Sequence, residues 1–315
     1  MIHIRMKSTI FILSFLLVTT MLQAQTIAID QMSKHPIKSL VIDSLEYYFI
    51  EKGEGETIFF LHGFPDLANT WDEAIDSLSL KYHCVAPFLR GYYPTGIPAN
   101  GDYGSKTIAQ DIDSIAQKMG IDKYYVVGQD WGASVTYSLL NLVPQKIIKA
   151  ITIAIPHPSM IKVNLKTIYK ARHFLRFRNE KKSVKYTRKN NFNYLDVLYQ
   201  RWSPGWGAYT KTSEQIKQTF AEEGRLEASL GYYWSLFRDG KNKELGAFYD
   251  QLPQVPLLTL AGAQDGAIVL KQFHDMEKAL PKDFTLVIHE KAGHFLHQED
   301  PAFFLEQLLA FFEGA

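Results

Sequence analysis

The sequence predicts an α/β fold in which a mostly parallel, eight-stranded sheet carries helices on both faces and a helical cap is inserted late in the chain. Short, almost continuously apolar segments alternate with amphipathic helical segments, as in a sheet that is buried on both faces. The alternation stops near residue 156 and resumes near residue 254. The stretch between these points is aromatic and helical in composition, which indicates the cap.

The apolar segments mark the strands in order. IKSLVIDSLEYYFIEKG predicts two short antiparallel strands, and TIFFLHG (57–63) predicts a buried strand that ends at a glycine turn. KTIAQDIDSIAQKMG has apolar residues at helical spacing and ends at Gly120, a typical helix stop. The remaining strands are predicted at HCVAPFL, KYYVVG, IIKAITIAI (147–155), VPLLTLAG (255–262) and FTLVIHE (284–290).

The N-terminal residues have the pattern of a secretory signal. MIHIRMKS carries two cations and precedes the apolar run TIFILSFLLVTTML, with Ala24 as the small residue at the cleavage site. The run is shorter than the roughly 18 apolar residues that a membrane span requires. We therefore expect an exported protein, periplasmic or secreted, with no stable span after cleavage. The predicted parts are a signal peptide (1–24), a first core part (25–155), a cap (156–253) and a second core part (254–315).

The charge and cysteine content bear on the possible partners of the protein and on its disulfides. The formal net charge is +1, which gives no reason to expect a nucleic acid, and the single cysteine, Cys84, excludes an internal disulfide. Residues 162–189 differ from the rest, because they hold eleven Lys or Arg against one acid, Glu180. This segment is either a solvated helix face or a surface that attracts an anionic partner. Oligomer formation is left open.

The stretch VVGQDWGASV (126–135) places an aspartate where a strand turns into a helix. Asp130 stands between Gly128 and Gly132. A Gly-x-nucleophile-x-Gly turn presents its central side chain above the sheet, and the glycines avoid clashes. Aspartate is also a common helix N-cap, so the pentapeptide alone leaves both interpretations open.

Two other segments favour a nucleophile. LHGFP (61–65) follows a buried strand, and the amides of Phe64 and Trp131, with His62 beside them, are predicted to form an anion and substrate site. Asp265 and His294 each follow the carboxyl end of a predicted strand, where the active site of an open α/β sheet lies. The chain order is then nucleophile, acid and histidine.

Together these motifs resemble the α/β-hydrolase superfamily, in its epoxide hydrolase and haloalkane dehalogenase branch. The motifs are HGFP (62–65), RGY (90–92), GQDWG (128–132), Asp265 of AGAQDGA, and GHFLHQEDP (293–301). The resemblance covers essentially the whole mature chain and implies the α/β-hydrolase fold. It implies that Asp130 attacks carbon to form an alkyl ester, that a water activated by His294 hydrolyses this ester, and that Asp265 orients the imidazole.

The resemblance also implies two proton or hydrogen-bond donors from the cap. Tyr233 in LGYYWSLFRD stands in the place of the late-cap tyrosine of epoxide hydrolases, with Tyr232 as its neighbour. His173 in KARHFLRF is the candidate for the early-cap donor, with Tyr169 and Tyr186 as alternatives. On this basis the expected reaction opens a small apolar epoxide to a vicinal diol.

Two alternatives to epoxide opening remain. A haloalkane dehalogenase would release halide from an alkyl halide by the same chemistry and would hold the halide with indole N–H groups, from Trp131 and from Trp202, Trp206 or Trp234. A non-catalytic, secreted binding protein is the other, although such proteins usually lose part of the triad.

No cofactor or metal site is expected. HEKAGH (289–294) has one residue too many for a zinc-binding His-Glu-x-x-His helix, and its glycine favours a loop. His297 and Glu299 are interpreted as cap and surface residues of the last helix.

Overall fold

The computed structural model describes residues 27–280 and 283–314. The predicted signal peptide (1–24) lies outside these residues, so export and cleavage after Ala24 stay predictions. No helix within the two described ranges is both long enough and apolar enough to cross a bilayer.

Eight strands form one sheet within the described residues. They are β1 (Ile37–Ile42), β2 (Leu45–Lys52), β3 (Thr57–Leu61), β4 (His83–Pro87), β5 (Tyr124–Gln129), β6 (Ile147–Ile153), β7 (Leu257–Gly262) and β8 (Phe284–His289). Their order across the sheet is β1-β2-β4-β3-β5-β6-β7-β8. The β1–β2 and β2–β4 pairs are antiparallel, and the other five pairs are parallel. The prediction of a mostly parallel, eight-stranded sheet is confirmed.

The central strands are buried on both faces. All residues of β3 are buried, and so are all residues of β5 and β7. Phe59 and Phe60 are successive residues of β3, so their side chains point to opposite faces, yet neither is accessible to solvent. Burial of each such ring contributes roughly 1.5–3 kcal/mol to stability, and it requires a covering layer on each face of the sheet.

The described residues also contain twelve α-helices and four short 3₁₀ helices. The α-helices, in chain order, are α1 (Asp72–Leu78), α2 (Ser105–Lys118), α3 (Trp131–Leu142), α4 (Leu165–Lys170), α5 (Arg172–Phe177), α6 (Glu180–Trp202), α7 (Tyr209–Ala221), α8 (Arg225–Asp239), α9 (Lys243–Tyr249), α10 (Lys271–Ala279), α11 (Leu296–Glu299) and α12 (Pro301–Glu313). Helix α6 is interrupted at residues 189–192, where the backbone leaves the helical conformation.

Helices α4 to α9 lie between β6 and β7, inside the segment predicted to be the cap. Hydrogen bonds connect them to the loops at the carboxyl edge of the sheet. The Tyr199 hydroxyl donates to the carbonyl of Pro65, and the Tyr232 hydroxyl donates to the carbonyl of Arg90 at 2.9 Å. The cap therefore covers the edge at which the predicted active-site loops emerge.

Strand register brings these loops together. Leu61, the last residue of β3, pairs with Gly128 of β5, so HGFP and GQDWG leave the sheet side by side. Gly262, at the end of β7, pairs with His289, at the end of β8, so the loops that carry Asp265 and His294 are also neighbours. Four segments that are far apart in sequence meet at one edge.

Candidate active site

Asp130 occupies a strained turn between β5 and α3. Its backbone has φ 51° and ψ −116°, a conformation that residues with a side chain rarely adopt and that costs roughly 1–3 kcal/mol. A Cβ atom at Gly128 would overlap the carbonyl of Gly132, and one at Gly132 would overlap the carbonyl of Leu61. The sharp turn therefore requires both glycines, and it lifts the carboxylate above the sheet edge.

The two oxygens of the Asp130 carboxylate have different neighbours. Oδ1 accepts a 2.8 Å hydrogen bond from the backbone N–H of Phe64, which follows β3. Oδ2 lies 3.3 Å from Nε2 of His294. Asp130 stands at the N-cap position of α3, but its carboxylate makes no capping hydrogen bond to the helix.

His294 lies between two carboxylates. Its Nδ1 is 2.8 Å from Oδ2 of Asp265. The other oxygen of Asp265 accepts backbone N–H bonds from Ala267 at 2.6 Å and Ile268 at 2.9 Å, which fixes the orientation of this carboxylate. Asp130, Asp265 and His294 are all buried. The structure thus joins the three predicted triad residues in one chain of polar contacts.

The charges around His294 control its pKa. Burial alone would lower the pKa, because a desolvated imidazolium is costly. The charges of Asp265 and Asp130, with the hydrogen bonds to both, outweigh burial and raise the pKa to about 10. The imidazole therefore holds a proton at neutral pH, and it would release that proton more easily if Asp130 lost its charge.

Ser203 and Glu299 hold the loop that carries His294. The Ser203 hydroxyl accepts the backbone N–H of His294 at 2.9 Å and donates to Glu299 at 2.6 Å. The Glu299 carboxylate also accepts the N–H of Gly293, at 3.0 and 2.9 Å to its two oxygens. Glu299, interpreted from the sequence as a cap or surface residue, is partly exposed and holds this loop through its carboxylate. His297, by contrast, is buried, with Nε2 2.8 Å from the Thr70 hydroxyl.

Asp130 and His294 line a cavity of about 210 Å³ that the cap closes. The cap contributes His173, Phe174, Trp202, Tyr232 and Tyr233, among other residues, to its wall. A largely aromatic and aliphatic cavity with a few polar groups suits a small apolar ligand.

His173 lines this cavity and carries one N–H donor on its neutral ring. Its Nδ1 lies 3.3 Å from Nη2 of Arg201, and a guanidinium can only donate, so the proton of the neutral ring is on Nε2. Burial, reinforced by the charge of Arg201, holds the pKa of His173 well below its usual range. The alternatives Tyr169 and Tyr186 are 68% and 39% exposed and do not line the cavity, whereas His173 is 3% exposed.

Tyr233 and Tyr232 both line the cavity, but their hydroxyls differ. The Tyr232 hydroxyl donates to the Arg90 carbonyl, so this residue serves as a wall and not as a donor to a ligand. No described residue accepts a hydrogen bond from the Tyr233 hydroxyl. Its ring packs edge-on against Trp131 and Phe64, with centroids 5.0 and 5.3 Å apart. Burial keeps the pKa of Tyr233 well above its usual value.

The structure corrects the expectation that His62 contacts the substrate. His62 is buried and does not line the cavity. Its Nε2 accepts the backbone N–H of Leu89 at 3.1 Å, and Nδ1 lies 3.1 Å from the carbonyl of Gly63. Burial lowers the pKa of His62 to about 4, so the ring is neutral and braces the two loops.

The tryptophans divide into two groups. Trp131 and Trp202 line the cavity, and their indole N–H groups have no acceptor among the described residues. Trp234 donates to the Phe177 carbonyl at 2.9 Å, and Trp206 lies outside the cavity, so neither serves this site.

Arg201, Ser203 and Lys170 are site residues that the sequence interpretation missed. The Lys170 ammonium donates to the backbone carbonyl of Asp265. None of the three belongs to a motif. Each contacts a predicted site residue: Arg201 contacts His173, Ser203 contacts His294, and Lys170 contacts Asp265. Within the described residues, no group of three or more His, Cys, Asp or Glu side chains is arranged to hold a metal ion.

Comparisons with known proteins agree with this architecture. Residues 56–301 match the family model of the alpha/beta hydrolase fold. The chain is 24% identical over 269 residues to epoxide hydrolase 4 of Mus musculus, a match that covers 82% of this chain and 73% of that protein. It is 26% identical over 268 residues to the AB hydrolase superfamily protein YfhM of Bacillus subtilis, covering 83% and 91%.

Solved structures show the same fold. The Bacillus megaterium epoxide hydrolase in complex with an inhibitor superposes with a TM-score of 0.75 at 22% identity, covering 88% of this chain and 100% of that one. The family match spans most of the chain, and its residues include strands β3 to β8, the cap and the three triad positions. The chain therefore belongs to the α/β-hydrolase fold family and is a hydrolase similar to the epoxide hydrolases.

Proposed function

We propose that this hydrolase opens an epoxide to a vicinal diol through a covalent ester on Asp130. The observation that carries the proposal is that the two oxygens of the Asp130 carboxylate have different neighbours. Oδ1 of Asp130 is held by the Phe64 N–H at 2.8 Å, while Oδ2 lies beside His294 at a cavity that also contains His173 and Tyr233. This arrangement suits a carboxylate that attacks an sp3 carbon and a leaving oxygen that needs a proton.

In the first step, Oδ2 attacks one ring carbon of the epoxide. The bond from that carbon to the epoxide oxygen breaks, and its electron pair passes to the oxygen. The oxygen takes the proton of the Tyr233 hydroxyl and accepts a hydrogen bond from Nε2–H of His173. Because burial keeps the pKa of Tyr233 high, tyrosine retains its proton until the stronger alkoxide base forms.

Esterification prepares His294 for the second step. The ester removes the negative charge of Asp130, which is one of the two charges that raise the pKa of His294. The imidazolium then releases its proton, which restores Tyr233. The neutral imidazole remains oriented by Asp265 and can act as a general base.

In the second step, Nε2 of His294 takes a proton from water, and the resulting hydroxide attacks Cγ of Asp130. Negative charge collects on Oδ1, where the Phe64 amide already donates and where we place the Trp131 amide as the second donor. The bond from Cγ to Oδ2 breaks, and the departing diol oxygen takes the proton from His294. The new carboxylic acid returns its proton to His294, which restores the starting state.

Release of halide from an alkyl halide is the second candidate function. A departing halide needs N–H donors but no proton, and the indoles of Trp131 and Trp202 both line the cavity without an acceptor. The neutral His173 and the Tyr233 hydroxyl have no evident use in that reaction, so we rank it below epoxide opening.

One assay separates the candidates. Purified protein is offered styrene oxide and a bromoalkane, and both diol and bromide are quantified. We expect diol from the epoxide and little bromide. Bromide without diol would establish the second candidate. The absence of both products would favour a non-catalytic binding protein.

A further inference from the structure

One segment of the cap exposes a cluster of large apolar side chains. Seven of the thirteen exposed large apolar residues in the described chain lie within residues 161–186. Val163 and Leu165 are 78% and 87% exposed. A cluster of this kind usually marks an interaction surface. The seven residues are Ile161, Val163, Leu165, Ile168, Tyr169, Leu175 and Tyr186.

The same segment concentrates positive charge. Residues 162–189 carry a formal charge of +10, whereas the whole chain carries +1, so the difference of −9 is spread over the remaining residues. Among the described residues, only Lys162 and Arg188 of the eleven cations pair with a carboxylate, at 3.5 Å to Asp275 and 2.9 Å to Glu227. We call residues 161–189 the basic cap surface.

The basic cap surface adjoins the mouth of the active-site cavity. Ile161, Thr167, Ala171 and Phe174 line the cavity from this segment. Ile161 is also 44% exposed, so the cavity approaches solvent there. Residues 161–166 are all exposed, and apolar and basic side chains alternate along them, so both kinds of side chain reach solvent within one short segment.

We propose that the basic cap surface docks onto an anionic lipid bilayer. Lysine and arginine are attracted to anionic headgroups, while exposed Val and Leu side chains enter the boundary of the acyl chains. A second copy of the chain is a poor occupant, because a symmetric contact would oppose two surfaces of the same charge. A nucleic acid would use the cations but would leave Val163 and Leu165 in a polar interface.

Docking in this orientation turns the cavity mouth towards the bilayer. Small apolar epoxides partition into membranes, so substrate would enter the cavity from the lipid phase. This consequence rests on the proposed function, whereas the docking itself does not.

Vesicle flotation tests the proposal. The purified protein is mixed with vesicles of phosphatidylcholine alone or with phosphatidylglycerol added. We expect binding to the anionic vesicles only. Lys162→Gln with Lys166→Gln should weaken binding about fivefold for each lysine removed at low salt. Val163→Ser with Leu165→Ser should weaken it at least about tenfold. These four side chains are exposed, so the variants should fold.

Matched controls make the result specific. Leu80 is 89% exposed and precedes β4, at the amino edge of the sheet and opposite the cap, so Leu80→Ser should bind as the unaltered protein does. Asp130→Asn should also bind normally, which separates docking from the proposed reaction. The proposal is overturned if the unaltered protein does not float with anionic vesicles. It is equally overturned if Val163→Ser with Leu165→Ser leaves flotation unchanged and heparin competes fully, because the surface would then bind polyanions by charge alone.

Discussion

The backbone N–H of Phe64 donates to Oδ1 of Asp130 at 2.8 Å, and this hydrogen bond makes the two carboxylate oxygens inequivalent. In the proposed reaction, negative charge develops on Oδ1 when water attacks the ester, and the Phe64 amide already donates there. Oδ2 lies 3.3 Å from Nε2 of His294, and we propose that this oxygen attacks carbon. The different surroundings of the two oxygens therefore depend on a residue that lies 66 positions earlier in the chain.

Oxygen labelling tests this division. In a single turnover with excess enzyme in H₂¹⁸O, the diol should carry no label, because its new oxygen comes from Oδ2 of Asp130. The label should appear in the peptide that contains Asp130, as mass spectrometry can determine. Label in the diol after one turnover would mean that water attacks the epoxide directly.

Asp130→Asn should lower the pKa of His294 from about 10, because the substitution removes the Asp130 charge that helps to raise it. A ¹⁵N NMR titration of the histidine rings measures the change directly. The variant imitates the neutral ester, so an unchanged pKa would remove the argument that esterification converts His294 into a base.

The raised pKa of His294 also makes the stability of the protein depend on pH. The folded-state pKa of His294 lies above the ordinary value of 6.5, so its stabilising contribution is complete below pH 6.5 and is lost as the pH rises towards 10. Thermal melting should show this loss in the unaltered protein and a smaller loss over the same window in Asp130→Asn.

Tyr233→Phe should lower kcat/KM for epoxides about 100-fold, since it removes the hydroxyl that we propose as proton donor to the leaving oxygen. Tyr232→Phe is the matched control, one residue away on α8. It should change kcat/KM little but should cost about 1 kcal/mol of stability, because the buried Arg90 carbonyl loses its partner. Equal losses of activity in the two variants would contradict the assignment of Tyr233.

Arg201→Met should lower kcat about tenfold with little change in KM. Without the guanidinium at Nδ1, the proton of His173 is no longer confined to Nε2, and the ring can turn its acceptor side to the epoxide oxygen. ¹⁵N chemical shifts report the tautomer of His173. Arg201→Lys keeps a cation at this position, so it should preserve part of the preference for the proton on Nε2. An unchanged tautomer in Arg201→Met would show that Arg201 does not position His173.

The triad could be predicted from the sequence because a parallel sheet brings residues from distant parts of the chain close together. Asp130 and Asp265 each lie just past the carboxyl end of a parallel strand, and parallel register places those ends at one edge. Motifs alone therefore sufficed for Asp130, Asp265 and His294. The strained glycine turn could also be read from sequence, because few other conformations need glycine at both positions.

The supporting residues were harder to predict because tertiary packing decides their roles. His62 belongs to a motif of the active-site loop, yet both of its ring nitrogens bond to the backbone. Glu299 appears as a surface acid in a helical segment, and only the fold shows that it accepts the Gly293 amide. Arg201 contacts His173 across 28 residues of an irregular cap, which no periodic pattern could reveal.

The central claim is that Asp130 forms a covalent bond to carbon, and trapping that bond tests it most directly. His294→Gln removes the base for ester hydrolysis but leaves Asp130 and Phe64 in place. Incubation of this variant with styrene oxide, followed by mass spectrometry of the peptide that contains Asp130, should reveal one substrate added to Asp130. Diol production by His294→Gln at the rate of the unaltered protein, with Asp130 unmodified, would contradict the account.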